Sequence, residues 1–124
     1  MSAKTWIYRQ MTGELHYGGD VVATGYSGFG QAKNDPASQR LEGLGPIPQG
    51  VWRMGPLSTN EVHGPLAITL IPSMGTDTFG RSGFLVHGDS REAPGEAIHG
   101  CIIINREVRE EMIDSPDKQL LVVP

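Results

Sequence analysis

Apolar and polar residues alternate along this chain in runs of four to six, each broken by glycine, proline or a small polar residue, a pattern of many short strands. Thr5–Arg9 and Glu14–Tyr17 flank Met-Thr-Gly, and Gly18-Gly19-Asp20 leads into Val21-Val22-Ala23-Thr24. That spacing predicts a three-stranded opening meander, rich in the aromatic and β-branched residues that suit a pleated surface. Val51–Met54, Leu66–Ile71 and Phe84–His87 read as further strands. In Leu66–Ile71 both alternating sets are largely apolar, which predicts cover on both faces. After Cys101, Ile102–Ile104 continue a β-branched run and Asn105 predicts the N-cap of a helix of about ten residues. Val108, Met112 and Ile113 would face the core, with Glu107, Arg109, Glu110 and Glu111 on a solvated face. Ser115-Pro116-Asp117 stops the helix, and Gln119–Val123 reads as a last strand.

Between Ser27 and Gly50 the periodicity dissolves into Ser-Gly-Phe-Gly, Asn-Asp-Pro and Gly-Leu-Gly-Pro-Ile-Pro-Gln-Gly. So long a connection is either a functional loop or an excursion without a role. Gly45-Pro46-Ile47-Pro48 is stiff, because each proline fixes its own φ and restricts the residue before it. It predicts a shaped wall. The expectation is a mainly β fold in one domain, residues 1–124, with one short helix after Cys101.

Composition narrows the functional classes. With 124 residues the chain can bury one core. The 17 glycines and 9 prolines leave little room for long helices. The formal charge of −4, without a Lys/Arg cluster, argues against nucleic acid or an anionic membrane as partner. One cysteine makes no internal disulfide. The N-terminal residues lack the apolar region of a secretory signal and no run reaches transmembrane length, so synthesis in the cytoplasm without a signal peptide is expected.

The candidate chemistry lies at two strand edges, Phe84-Leu-Val-His87-Gly88-Asp89 and Ile98-His99-Gly100-Cys101. A cysteine attacks as thiolate, and an isolated thiol near pKa 8.5 is only a few per cent ionised at neutral pH. A neighbouring imidazole takes the proton and holds the ion pair; a depression of two or three units needs roughly 3–4 kcal/mol. His87 is the candidate base. The carbonyl of Gly88 could accept from its Nδ1–H, leaving Nε2 for the sulfur. The N–H groups of Gly100 and Cys101 are candidates for an oxyanion hole, and Asp89 either orients a histidine or opens the loop. Two other readings stand beside this one. Cys101 next to isoleucines is also what an inert buried thiol looks like, and His87, Asp89, His99 and Cys101 could hold zinc. His16 and His63 read as turn or surface residues.

With those residues, the chain resembles the L,D-transpeptidase (YkuD-like) catalytic domain, and more closely the small type VI secretion effectors of that superfamily. The signature is a histidine at a strand end, a variable loop, then Ser/Thr-x-Gly-Cys; here His87-Gly88 and Ile98-His99-Gly100-Cys101, with Ile98 at the hydroxyl position. The likeness extends over Trp6–Tyr8, Ala23–Gly28, Gly45–Gly50 and Phe79–Asp89. It implies a compact β-sandwich or open barrel. It also implies an antibacterial effector, or a prophage cell-wall enzyme, working as L,D-carboxypeptidase or L,D-transpeptidase on peptidoglycan stem peptides. No cofactor or metal is expected. The site would comprise Cys101 as nucleophile, His87 as base, and His99 and Gly100 around the thiol and oxyanion. Arg81, with Arg106 behind it and Gly88 and Asp89 beside the base, would meet the substrate's carboxylates. The implied partners are stem peptides, a secretion apparatus and a cognate immunity protein, with action in the periplasm of a target or host bacterium. The alternatives are a degenerate peptidoglycan-binding module and a zinc-stabilised β domain.

Overall fold

The computed structural model describes residues 4–58, 65–89 and 101–124. It places nine strands in one sheet: β1 (Trp6–Arg9), β2 (Glu14–Tyr17), β3 (Asp20–Thr24), β4 (Tyr26–Ser27), β5 (Gly50–Leu57), β6 (Ile68–Pro72), β7 (Leu85–His87), β8 (Ile102–Ile103) and β9 (Gln119–Val123). Helix α1 (Arg106–Asp114) follows β8. The expected opening meander is present, with β1–β2 and β2–β3 antiparallel. Gly18 and Gly19 make the two-residue turn between β2 and β3, at φ values of 62° and 90° that glycine reaches without strain.

The order across the sheet is β3-β2-β1-β9-β5-β6-β7-β8-β4. Its two outermost strands, β3 and β4, are separated in sequence by Gly25 alone. One bent stretch of chain therefore borders both ends of the sheet, which curls into a nearly closed barrel. The corner is tight. Gly25 N–H donates to the Gly13 carbonyl at 2.8 Å, and a Cβ on Gly25 would overlap the Ile103 carbonyl oxygen. Only a residue without a side chain fits there.

The main core packs Trp6, Tyr8, Trp52, Val86, Ile102 and Leu120 with the apolar face of α1. Asn105 caps α1, its side-chain oxygen accepting from Val108 N–H at 2.9 Å. Lys118 Nζ donates to the Met112 and Ile113 carbonyls at the other end, where a cation complements the helix dipole. Two expectations are corrected. Arg109 is 7% exposed rather than on a solvated face. Its Nε donates to the Ile104 carbonyl at 2.9 Å and its Nη1 to Pro65 and Leu66, which ties the helix to the segment before β6. Nor is β6 covered on both faces: Ile68 and Leu70 are buried, while Ile71 lies over Gly55 and remains 44% exposed. An apolar residue on an outward face is ordinary, since polar groups are too few to cover a protein surface.

Candidate active site

β7 and β8 run parallel in adjacent positions, with Val86 opposite Ile102 and His87 opposite Ile103. Alternation then sends Leu85, His87, Cys101 and Ile103 to the same face, away from Val86 and Ile102. Leu85, Cys101, Ile103 and Ala67 form a small second core there, with Tyr26 packed against it. His87 and Cys101 are thus diagonal neighbours on one face. Such positions lie about 7–8 Å apart at the backbone, within reach of an imidazole.

The His87 ring is 5% exposed, and its Nδ1 lies 2.8 Å from the Gly88 carbonyl oxygen. A carbonyl only accepts, so Nδ1 carries the proton, and in the neutral ring Nε2 holds the lone pair that a base requires. Gly88 has a second use. A Cβ there would come within 2.8 Å of Arg109 Nη2, so glycine leaves room for the buried guanidinium behind the histidine. Asp89 accepts a hydrogen bond from the Tyr26 hydroxyl. Tyr26 pairs with Ile103, which sets His87, Ile103 and Tyr26 in a row across β7, β8 and β4.

Cys101 is 2% exposed, and its Sγ lies 3.8 Å from the Gly83 carbonyl oxygen. Burial pushes the thiol up to about 11, opposed by a backbone hydrogen bond at Leu85 and by the charge of Arg81. The expectation of a preformed thiolate is corrected accordingly: at neutral pH the sulfur carries its proton. Any attack must then couple to proton removal.

Arg81 is 5% exposed, and all its hydrogen bonds go to backbone carbonyls. Nη1 donates to Gln39 and to Pro46 (2.9 Å), and Nη2 to Gly45 (2.9 Å). The guanidinium also lies 5.1 Å over the Phe84 ring. These contacts belong to a larger device. The Leu44 carbonyl accepts from Phe29 N–H, that of Ile47 from Gln10 Nε2 at 2.8 Å, and that of Pro48 from Trp52 Nε1 at 3.0 Å. Five consecutive carbonyls, 44 to 48, are each engaged, and Ser27 Oγ accepts from Ile47 N–H at 2.8 Å. The wall expected of Gly45–Pro48 is buried and held along its whole length. Arg106 is exposed and pairs with Glu110 at 3.1 Å on the outer face of α1, apart from this arrangement.

His99, Gly100 and Ile98 lie outside the described residues, as does His63. His99, one of the four residues of the zinc reading, is therefore not described. Among the described residues no three His, Cys, Asp or Glu side chains gather to hold a metal. His16 lies in β2, half-buried, 3.2 Å from Glu14. Gln10, Tyr26 and Arg109 were not singled out for the site by sequence reasoning. Gln10 lies in the turn after β1 and Arg109 sits in a charged helix, so neither carries a local signal of burial.

A family model described as the Tlde1 domain matches residues 21–122, a span that holds the wall, His87, Cys101 and α1. A search of curated proteins found no match.

Proposed function

Because this chain belongs to the Tlde1 domain family, L,D-transpeptidase-like effectors of type VI secretion, we propose that it performs cysteine acyl transfer on peptidoglycan stem peptides in a target bacterium's periplasm. The observation that carries the reading is the His87 tautomer: Nδ1–H is committed to the Gly88 carbonyl, and the basic Nε2 belongs to a ring on the same sheet face as Cys101. Nε2 takes the thiol proton as sulfur attacks the carbonyl between the L-centre of the diamino acid and the terminal D-Ala. The resulting imidazolium then protonates the leaving amine, and D-Ala departs as the thioester forms. Water attacking the thioester gives L,D-carboxypeptidase activity, and an amine gives exchange or cross-linking. His99 and the N–H groups of Gly100 and Cys101 are assigned to the oxyanion. Asp89, bonded to Tyr26, borders the base.

The deep burial of the thiol favours a second reading, a module that docks stem peptides without turnover. One assay separates the two. Purified protein incubated with a tetrapeptide muropeptide should release D-Ala, and Cys101→Ala should reduce release to background, a loss of at least about 10³-fold. Binding of the muropeptide without D-Ala release by the native protein would leave the docking module as the function.

A further inference from the structure

The diamino acid of a stem peptide carries more than the carbonyl that sulfur attacks. Its second, D-configured centre bears an ammonium and a carboxylate, the carboxylate six bonds from that carbonyl, a reach of about 7 Å at standard bond lengths. Holding this head takes a cation and an anion close together, at that range from the sulfur. Neither arginine expected to meet the substrate is placed for it. Arg81 gives its hydrogen bonds to backbone carbonyls, and Arg106 pairs with Glu110 on the outer face of α1.

Tyr26 gathers both charges instead. Ile103 pairs with His87 of β7 on one side and with Tyr26 of β4 on the other, and Cys101 stands two residues earlier on the same face. His87 and Tyr26 are therefore diagonal neighbours of Cys101 on opposite flanks, each about 7–8 Å away at the backbone. Tyr26 also packs on the small core that includes Cys101. Its hydroxyl donates to Asp89, and the Lys33 ammonium lies 4.4 Å from its ring centroid. The ring thus has an anion at its edge and a cation over its face. The loop holds Lys33 there. Asn34, at φ 56°, donates its N–H to the Ser27 carbonyl at 2.8 Å, and its side chain accepts from Ser27 N–H at 3.1 Å. The residue after Lys33 is thereby pinned to the residue after Tyr26. Asp89 is exposed, and Lys33 and Tyr26 are half-buried, so a solute can reach all three.

We propose that Lys33, Tyr26 and Asp89 form a subsite for the D-centre of the diamino acid, Lys33 meeting its carboxylate and Asp89 its ammonium. This rests on the reading of Cys101 as nucleophile, and it adds the residues that select the stem. The consequence is a preference for stems built on the diamino acid over stems built on lysine, the same side chain without the distal carboxylate. The long connection after Ser27 gains a role as the carrier of Lys33.

The test is binding in a Cys101→Ala background, where no turnover intervenes. Two synthetic tetrapeptides ending in D-Ala, alike except for the diamino acid or lysine at the third position, are titrated by calorimetry. The diamino acid peptide should bind about fivefold more tightly, a modest factor because the charges stay within reach of water. Lys33→Gln should abolish that preference, and Lys33→Arg should keep it. Asp89→Asn should weaken both peptides alike, since both carry the ammonium. Equal affinities in the parent, or an undiminished preference in Lys33→Gln, would overturn the subsite, as would binding of neither peptide. Should Lys33→Gln fail to fold, Lys33→Met, which keeps an apolar stem over the ring, decides in its place. A native chain that shows the preference without releasing D-Ala would lose the acyl transfer and keep the subsite.

Discussion

Tyr8 is fully buried in the main core, and its hydroxyl finds no hydrogen-bond partner among the described residues. Burial also raises the phenol well above its ordinary pKa. An unsatisfied buried hydroxyl costs free energy that a ring of the same shape would not. Tyr8→Phe should therefore stabilise the protein by about 1 kcal/mol, read as a higher urea midpoint at unchanged m-value. A lower midpoint would mean that the hydroxyl has a partner, such as an ordered water. At the site, the individual residues follow the same logic of satisfied groups. His87 is oriented by the peptide that follows it, and Arg81 and Arg109 each direct a planar fork at backbone carbonyls, those of Gly45 and Pro46 being buried.

The corner between β3 and β4 is the most demanding local geometry in the fold. A methyl group on Gly25 would overlap the Ile103 carbonyl, and backbone rather than a flexible side chain would have to yield. Gly25→Ala should cost about 3 kcal/mol or prevent folding, measured by chemical denaturation of the purified variant. Wild-type stability would mean that the two strands can separate at the corner. Short elements of this kind were legible in the sequence where periodicity and turn residues agree: the meander, α1 with its Asn105 cap, and the final strand. The stiffness of Gly45–Pro48 was legible too, since proline acts through its own ring. What held that segment was not, because Gln10, Ser27 and Arg81 reach it from distant parts of the chain. Arg109 was misplaced because charge patterning speaks only of water, while its guanidinium finds carbonyls across the sheet. The adjacency of the two strand edges that carry His87 and Cys101 was legible as well. The thiol's protonated state did not, because burial of the sulfur depends on Ala67, Leu85 and Ile103 from three separate segments.

The whole molecule responds to pH through that same thiol. An unfolded cysteine titrates near 9, whereas burial holds the folded one near 11, so the folded state keeps a proton that the unfolded state has released. The stabilisation is fully present below pH 9 and is lost as pH rises toward 11. Between those values the native protein should lose about 2–3 kcal/mol more than Cys101→Ala, measured as denaturant midpoints at each pH. Tyr8 and Tyr17 are shifted upward too, but they remain in both proteins and drop out of the difference. Parallel loss in the two proteins would place the folded thiol at its ordinary value.

β9 sits between β1, which it meets in parallel, and β5, which it meets antiparallel. Between the opening hairpins and β5 the sheet is thus continuous only through residues 119–123, the other junction being that of β4 with β8. A growing chain on the ribosome must carry two bare, adhesive flanks until that segment has been made. Truncation before residue 119 should therefore yield aggregates rather than a smaller soluble protein.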